Sequence, residues 1–433
     1  MKARVRSLAR AFGAGAVLVA ASAAAPAEDL VEVFELALTS DPEFLAAGAA
    51  HRAAQEALPQ ARAELRPRVH ATLDTRWNER QRSSDYRSES LILSIEHPVY
   101  RRDRRIAVDQ ADSRIARADA LYDAARQDLV VRVAERYFGV LEAEDELGFA
   151  QATLEAFEQQ LAQSRQRFEV GLIAITDVEE AKAGFDLSRA QLIAAQNALG
   201  IAREALREMT GAYQERLVPL RETHLVMPEP ADIDQWTAIA VEQNLRLVAA
   251  KHDTETARRE IERIQAGHSL TLDAVGSFGL NDSESGGALR ETRRANVGLR
   301  LSLPLYSGGS ILSRTRESRH RYQRSLELLE LERRRAQRET RDAYLGVDSG
   351  ISRVQALEQA VRSSLTAAEA IEAGFQVGTR TSVDVLDAQR DLFRARRDLS
   401  EARYRYVLDV LRLKRAAGAL SEEDLQSVSI WLG

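Results

Sequence analysis

The chain has no proline between Pro98 and Pro219, and none after Pro304. Proline fixes φ and removes a backbone donor. Its absence over such lengths, in segments rich in Ala, Leu, Arg and Glu, predicts very long helices. The apolar positions agree. Ile115, Ala118, Tyr122, Ala125, Leu129, Val133 and Tyr137 step by three and four, as do Val385, Ala388, Leu392, Ala395, Leu399, Ala402, Tyr406, Val410 and Leu413. Val178, Ala181, Phe185, Ser188, Leu192, Ala195 and Leu199 form a third such stripe. This is the seam of a coiled coil. A helix from about Asp103 to Phe168 would be roughly 100 Å long at about 1.5 Å per residue. No ordinary globular core buries a rod of that length, so it must lie against other long helices in a bundle or a tube.

Between these segments the period changes. Residues 30–64 and 232–266 read as helices, and each is followed by a pair of strands. Val69, Ala71, Leu73, Thr75 and Trp77 alternate with His70, Thr72, Asp74 and Arg76. After a polar loop, Leu91, Leu93 and Ile95 alternate with Ser94 and Glu96. Later Leu270, Leu272, Ala274 and Phe278 oppose Thr271, Asp273 and Ser277, and Val297, Leu299, Leu301 and Leu303 oppose Gly298, Arg300 and Ser302. Strict alternation of this kind marks strands with one apolar and one polar face. The pairs are expected within 67–98 and 269–304.

The chain also repeats itself. Arg167-Phe168-Glu169-Val170-Gly171 recurs as Gly374-Phe375-Gln376-Val377-Gly378, an offset of 207. At the same offset Asp177 matches Asp384, Glu180 matches Asp387 and Gly211 matches Gly418. Asp41-Pro42-Glu43-Phe44 aligns with Asn244-Leu245-Arg246-Leu247, and Pro98-Val99-Tyr100 with Pro304-Leu305-Tyr306. The expected organisation is a signal peptide at 1–27, one structural repeat at 28–230 and a second at 231–433, a tandem duplication of one large unit. The signal peptide is read from the cations Lys2, Arg4, Arg6 and Arg10, the apolar run Ala11 to Ala21 and the small-x-small site Ala25-Pro26-Ala27.

Several function classes drop out. There are no cysteines, which removes disulfides, thiolate metal sites and a cysteine nucleophile. The formal charge of -6 carries no basic bias toward nucleic acid. The seven histidines are scattered, with no i, i+4 pair, and neither a nucleophile elbow nor a phosphate-binding loop is present. No enzyme, no metal and no cofactor is expected. In the mature chain no segment approaches the roughly 20 apolar residues of a membrane helix. An exported chain of this kind enters a membrane as strands. Barrels in lipid have no free edge, and four strands cannot close, so a membrane role forces oligomerisation. A soluble sheet packed on a helix is the alternative.

The segments Arg167 to Ala181 (RFEVGLIAITDVEEA) and Glu372 to Ala388 (EAGFQVGTRTSVDVLDA) resemble the paired signatures of the TolC family of outer-membrane factors. Val297 to Gly309 (VGLRLSLPLYSGG) resembles that family's last strand and its exit into a helix. The likeness runs in order over essentially the whole mature chain. It implies a mainly α chain with a small β part. Three protomers would share a twelve-stranded outer-membrane barrel, continuous with a periplasmic α-barrel. It implies an exit duct for drugs or secreted proteins, joined by a periplasmic adaptor to an RND-type or ABC-type inner-membrane transporter. The runner-up is a periplasmic coiled-coil scaffold or adaptor.

The likeness also assigns residues. Asp384 and Asp387 fall on the family's selectivity positions, and their i, i+3 spacing puts them on one helical face. A trimer would present a ring of carboxylates that favours cations. Thr381-Ser382-Val383-Asp384 also fits a helix-capping box, which needs no pore, and Thr176 with Glu179 matches the same pattern. Thr176, Asp177, Phe375 and Arg380 fall on the positions that latch the periplasmic aperture. Phe375 departs from the family, which has a tyrosine there, so one closing hydrogen bond is missing. Ordinary helix packing is the other reading of Phe375. Gly171, Gly374 and Gly378 are expected to end helices at an adaptor-facing tip in left-handed conformation. Tyr100 and Tyr306, each two residues past a strand-ending proline, suit either a membrane-interface belt or packing at the joint between barrel and helices.

Overall fold

The computed structural model describes residues 28–79, 86–214, 216–221, 224–285 and 288–432. The expected signal peptide and part of the first strand loop lie outside the described residues. In chain order the first elements are α1 (Leu30–Ser40), α2 (Pro42–Gln55), α3 (Ala57–Ala63), β1 (Arg68–Asn78), β2 (Tyr86–Tyr100), α4 (Arg102–Glu169) and α5 (Ile175–Thr210). Then follow α6 (Ile233–Gln243), α7 (Leu245–Gln265), β3 (Thr271–Ser285), β4 (Ala288–Ser302), α8 (Ser310–Gln376), α9 (Ser382–Ala417) and α10 (Glu422–Ser429).

The two rods are present. α4 has 68 residues and α8 has 67, each about 100 Å at the helical rise. Each is flanked along its length by shorter helices, α4 by α5, α2, α3 and α7, and α8 by α9, α6 and α7. The helices expected at 30–64 and 232–266 are broken. Asp41 and Asn244, the residues aligned between the halves, both leave helical conformation and cap the next helix. Asp41 accepts from the Phe44 N–H at 3.3 Å, and Asn244 accepts from the Leu247 N–H at 3.0 Å. A short polar side chain that satisfies an orphan N–H makes the break favourable where continuous periodicity predicts one helix.

The main core lies midway along the long helices, where Leu129, Val133, Tyr137 and Phe138 of α4 meet α1 and the C-terminal part of α9. Buried tyrosine hydroxyls stitch the connecting segments to it. Tyr137 donates to the Val218 carbonyl at 2.8 Å, and Tyr406 donates to the Val226 carbonyl at 2.7 Å. Such groups are buried only with a partner.

The strands form one antiparallel sheet in the order β1-β2-β3-β4. Its register sorts side chains by face. Val69 lies opposite Ile95, Ile95 opposite Gly276 and Gly276 opposite Val297. The next apolar row is Ala71, Leu93, Phe278 and Ala295. No helix covers this face: Val297 is 93% exposed, Leu73 74% and Leu299 71%. A soluble sheet would bury it. The outer edges of β1 and β4 have no partner strand among the described residues. Pro98 does not end β2. The strand runs on to Tyr100 through a register shift that absorbs the missing proline donor. Tyr306 is 89% exposed, whereas the Tyr100 ring lies under the Arg105 guanidinium.

Candidate functional site

The expected site residues gather where the rods turn back. Both rods end alike. At the end of α4 the Leu172 N–H donates to the Arg167 carbonyl and the Gly171 N–H to the Phe168 carbonyl, each at 2.9 Å. At the end of α8 the Thr379 N–H donates to the Gly374 carbonyl at 2.9 Å and the Gly378 N–H to the Phe375 carbonyl at 3.1 Å. Gly171 and Gly378 take φ of 75° and 81°, the left-handed turn that lets helix carbonyls find these donors. Gly374 does not end a helix in that way. It sits inside α8, and a Cβ there would come within 2.8 Å of the Arg380 Cγ, so its role is clearance for the returning chain.

The helices that return from the two tips start at matching positions, after Ala174 and after Thr381. Only the second has a capping side chain. The Thr381 N–H and hydroxyl donate to Oδ2 of Asp384 at 2.9 and 3.0 Å, and the Asp384 N–H donates to the Thr381 hydroxyl at 3.2 Å. The capping box read from the sequence is therefore formed there. It occupies one carboxylate oxygen, and among the described residues Oδ1 of Asp384 has no partner. Hydrogen bonds from Thr381 hold the Asp384 carboxyl below its usual range, because they favour the charged form. The box expected at Thr176 and Glu179 is absent. Thr176 is already the second residue of α5, so its N–H and hydroxyl are not in cap geometry. Asp177 occupies the third helical position, matching Asp384.

Asp387 lies on the exposed side of α9 and pairs with Arg390 at 2.9 Å. The Arg390 guanidinium in turn lies 5.5 Å from the Phe157 ring centroid. Phe375 is 5% exposed, and the Arg167 guanidinium stacks 4.1 Å from its ring centroid. It thus packs the end of α8 against the end of α4, a cation–π contact that needs no hydroxyl. Among the described residues Arg380 makes no direct ion pair, and neither Thr176 nor Asp177 bonds to it; its charge acts instead on Asp384. Arg167 and the Phe157–Gly184 contact are not predicted from the sequence. A Cβ on Gly184 would meet the Phe157 ring at 2.2 Å, so this glycine admits the ring between α4 and α5. A glycine inside a long helix was the only signal, and it did not name its partner.

At the other end, the rods meet the sheet through Arg101 and Asp273. Arg101 Nε and a terminal nitrogen donate to the two Asp273 oxygens at 3.0 and 2.9 Å. The Asp273 side chain is only 4% exposed. Among the described residues no helix is long and apolar enough to cross a membrane. The candidate membrane element is the sheet.

Comparison with known proteins bears on this architecture. The profile of the outer membrane efflux protein family matches residues 33–212 and 236–419. The outer membrane protein TolC of Vibrio cholerae is 39% identical over 425 residues, covering 96% of this chain and 97% of that protein. The alkaline protease secretion protein AprF of Pseudomonas aeruginosa is 31% identical over 430 residues, covering 96% of this chain and 89% of that protein. The solved CmeC outer membrane channel of Campylobacter jejuni shares the fold, with a TM-score of 0.79 at 15% identity, over 93% of this chain and 90% of that one. The chain belongs to the outer membrane efflux protein family and is an outer-membrane exit channel of the TolC kind.

Proposed function

We propose that three copies of the chain close their sheets edge to edge into one barrel and their helices into one tube. This passive duct carries no catalysis. The observation that carries the reading is the open four-stranded sheet, exposed on its apolar face and unpaired at both edges among the described residues, joined to helices of about 100 Å. A periplasmic scaffold would use the helices but leave that face in water. Residues 28–230 and 231–433 are the two repeats, and 1–27 is removed on export. The partners are a periplasmic adaptor and an inner-membrane transporter of the RND or ABC type, and outer-membrane lipid surrounds the sheet. Drugs and proteins are both cargo classes for this reading, since its relatives include a protease secretion protein. Mass measurement in mild detergent is expected to give a trimer. A stable monomer that keeps its strand signal would overturn the barrel.

At the tip, Asp384 and Asp387 form the cation gate, and Gly171, Gly374 and Gly378 shape the adaptor-facing turns. The aperture latch consists of Thr176, Asp177, Phe375 and Arg380, with Arg380 bonding the Asp177–Thr176 segment of the sister repeat when the tip is closed. Phe375→Tyr keeps the ring beneath Arg167 and adds a phenolic donor. One neutral-to-charged hydrogen bond gained at the closed tip lowers the open population by about tenfold or more. Single-channel conductance and antibiotic leakage are expected to fall accordingly. If both are unchanged, position 375 serves packing alone.

A further inference from the structure

The sheet treats its arginines differently on its two faces. On the apolar side, beyond the last fully apolar row, Arg87 pairs with Glu89 and Arg293 pairs with Glu291 at 2.7 Å. Each outward arginine has its carboxylate two residues away on the same strand, hence on the same face. The opposite, polar face does not follow that rule. Toward the hairpin end, from the row of His70, Ser94, Ser277 and Asn296 onward, it carries Arg76, Arg290 and Arg294 against one carboxylate, Asp74. Arg76 approaches Asp74 only at 3.7 Å. All three arginines are exposed, and among the described residues Arg290 and Arg294 have no ion pair. Apart from Asp74, their neighbours in register are small or neutral: Arg294 shares its row with Gly279, Ile92 and Thr72, and the next row toward the hairpins holds Thr292, Asn281, Ser90 and Asp74. Arg290 and Arg294 lie on β4 roughly 14 Å apart along the strand, at two levels of the sheet.

We propose that this patch is a second charge filter, at the exit of the duct, which attracts anionic groups on the cargo and is opposite in sign to the carboxylates at the tip. The proposal rests on the duct reading, in which the polar face lines the lumen. Among the described strand residues of the polar face, each chain then contributes a surplus of two guanidinium charges near the exit, Arg76, Arg290 and Arg294 against Asp74. Closing the barrel brings Asp74 of one copy near β4 of the next but does not alter that balance. Rings of like-charged side chains select ions of opposite sign, and a guanidinium fork suits phosphate and carboxylate oxygens. A molecule with several anionic groups would be held at the exit and relayed outward. A cationic one would be favoured at the tip and pushed through the exit.

The test uses the full-length channel in planar bilayers, with inositol hexakisphosphate as the probe. Block is expected from the barrel side, and it should weaken steeply as potassium chloride is raised from about 0.1 to 1 M, since the charges are exposed. The Arg290→Gln/Arg294→Gln channel should need at least roughly tenfold more probe, the loss of one charge-assisted contact or more. Arg290→Lys/Arg294→Lys should keep most of the block, and Arg293→Gln on the outer face should leave it intact. Equal block in the wild-type and Gln channels, or block of the wild-type channel that is insensitive to salt, overturns the exit filter. Channels that conduct and are blocked by multivalent cations at the tip, yet ignore the polyanion, overturn the exit filter and leave the duct standing. A protein that forms no channel overturns both.

Discussion

Alanine at both Asp384 and Asp387 is expected to abolish most of the channel's cation preference and to weaken block by multivalent cations on the order of 100-fold, two charge-assisted contacts per cation being lost. The geometry explains why capping and gating are compatible. Thr381 engages one oxygen of Asp384, and among the described residues the other has no partner. Asp387 is tied only by an exposed pair to Arg390, which a multivalent cation can displace. Because the Thr381 bonds hold the Asp384 carboxyl below its usual range, its charge is present above that range and lost only as pH falls through the lowered value. Cation block is therefore expected to persist into mildly acidic solution. Reversal potentials under a salt gradient measure the effect. Unchanged potentials in the double variant would leave Asp384 as a helix cap alone.

Replacing Arg101 by alanine is expected to destabilise the joint between sheet and helices by about 3–5 kcal/mol, the cost of leaving a buried carboxylate without its cation. Asp273 is 4% exposed and receives both its strong hydrogen bonds from Arg101, which stands immediately before α4. Arg101→Lys keeps a charge but loses the fork, and an intermediate loss is expected. Removing both partners should recover part of the stability, because no orphan charge remains. Heat- or denaturant-induced dissociation in detergent, compared across these variants, is the measurement. An Arg101→Ala protein as stable as the parent would mean that water reaches Asp273.

How far the site was legible depended on the range of each interaction. The caps at Gly171, Gly378 and Thr381–Asp384 involve residues within five positions of each other, so motif and geometry coincide. The same kind of pattern misled at Thr176, because the helix starts two residues earlier, after Ala174, and a side chain inside the first turn cannot cap it. Gly374 looked like a terminator by type. Its actual constraint is the Arg380 side chain folding back across the turn. Phe375 has two readings in the sequence, latch position or helix packing, and the partner of its ring, Arg167, lies 208 positions earlier, where no local pattern names it.

The sequence by itself determined the presence of rods of about 100 Å, the four amphipathic strands and the duplicated tips. Proline placement, periodicity of 3.6 or 2 and turn glycines act between near neighbours and are written locally. Only the tertiary structure decided that β2 pairs with β3, joining the two halves in one sheet, and that Arg101 reaches Asp273. It also decided that Arg87 and Arg293 on the outward face each pair with a carboxylate two residues away, while Arg290 and Arg294 on the inward face have no ion pair among the described residues. Such contacts join residues far apart in the chain. Their geometry accumulates along rods of about 100 Å, and no local preference encodes where two distant side chains will meet.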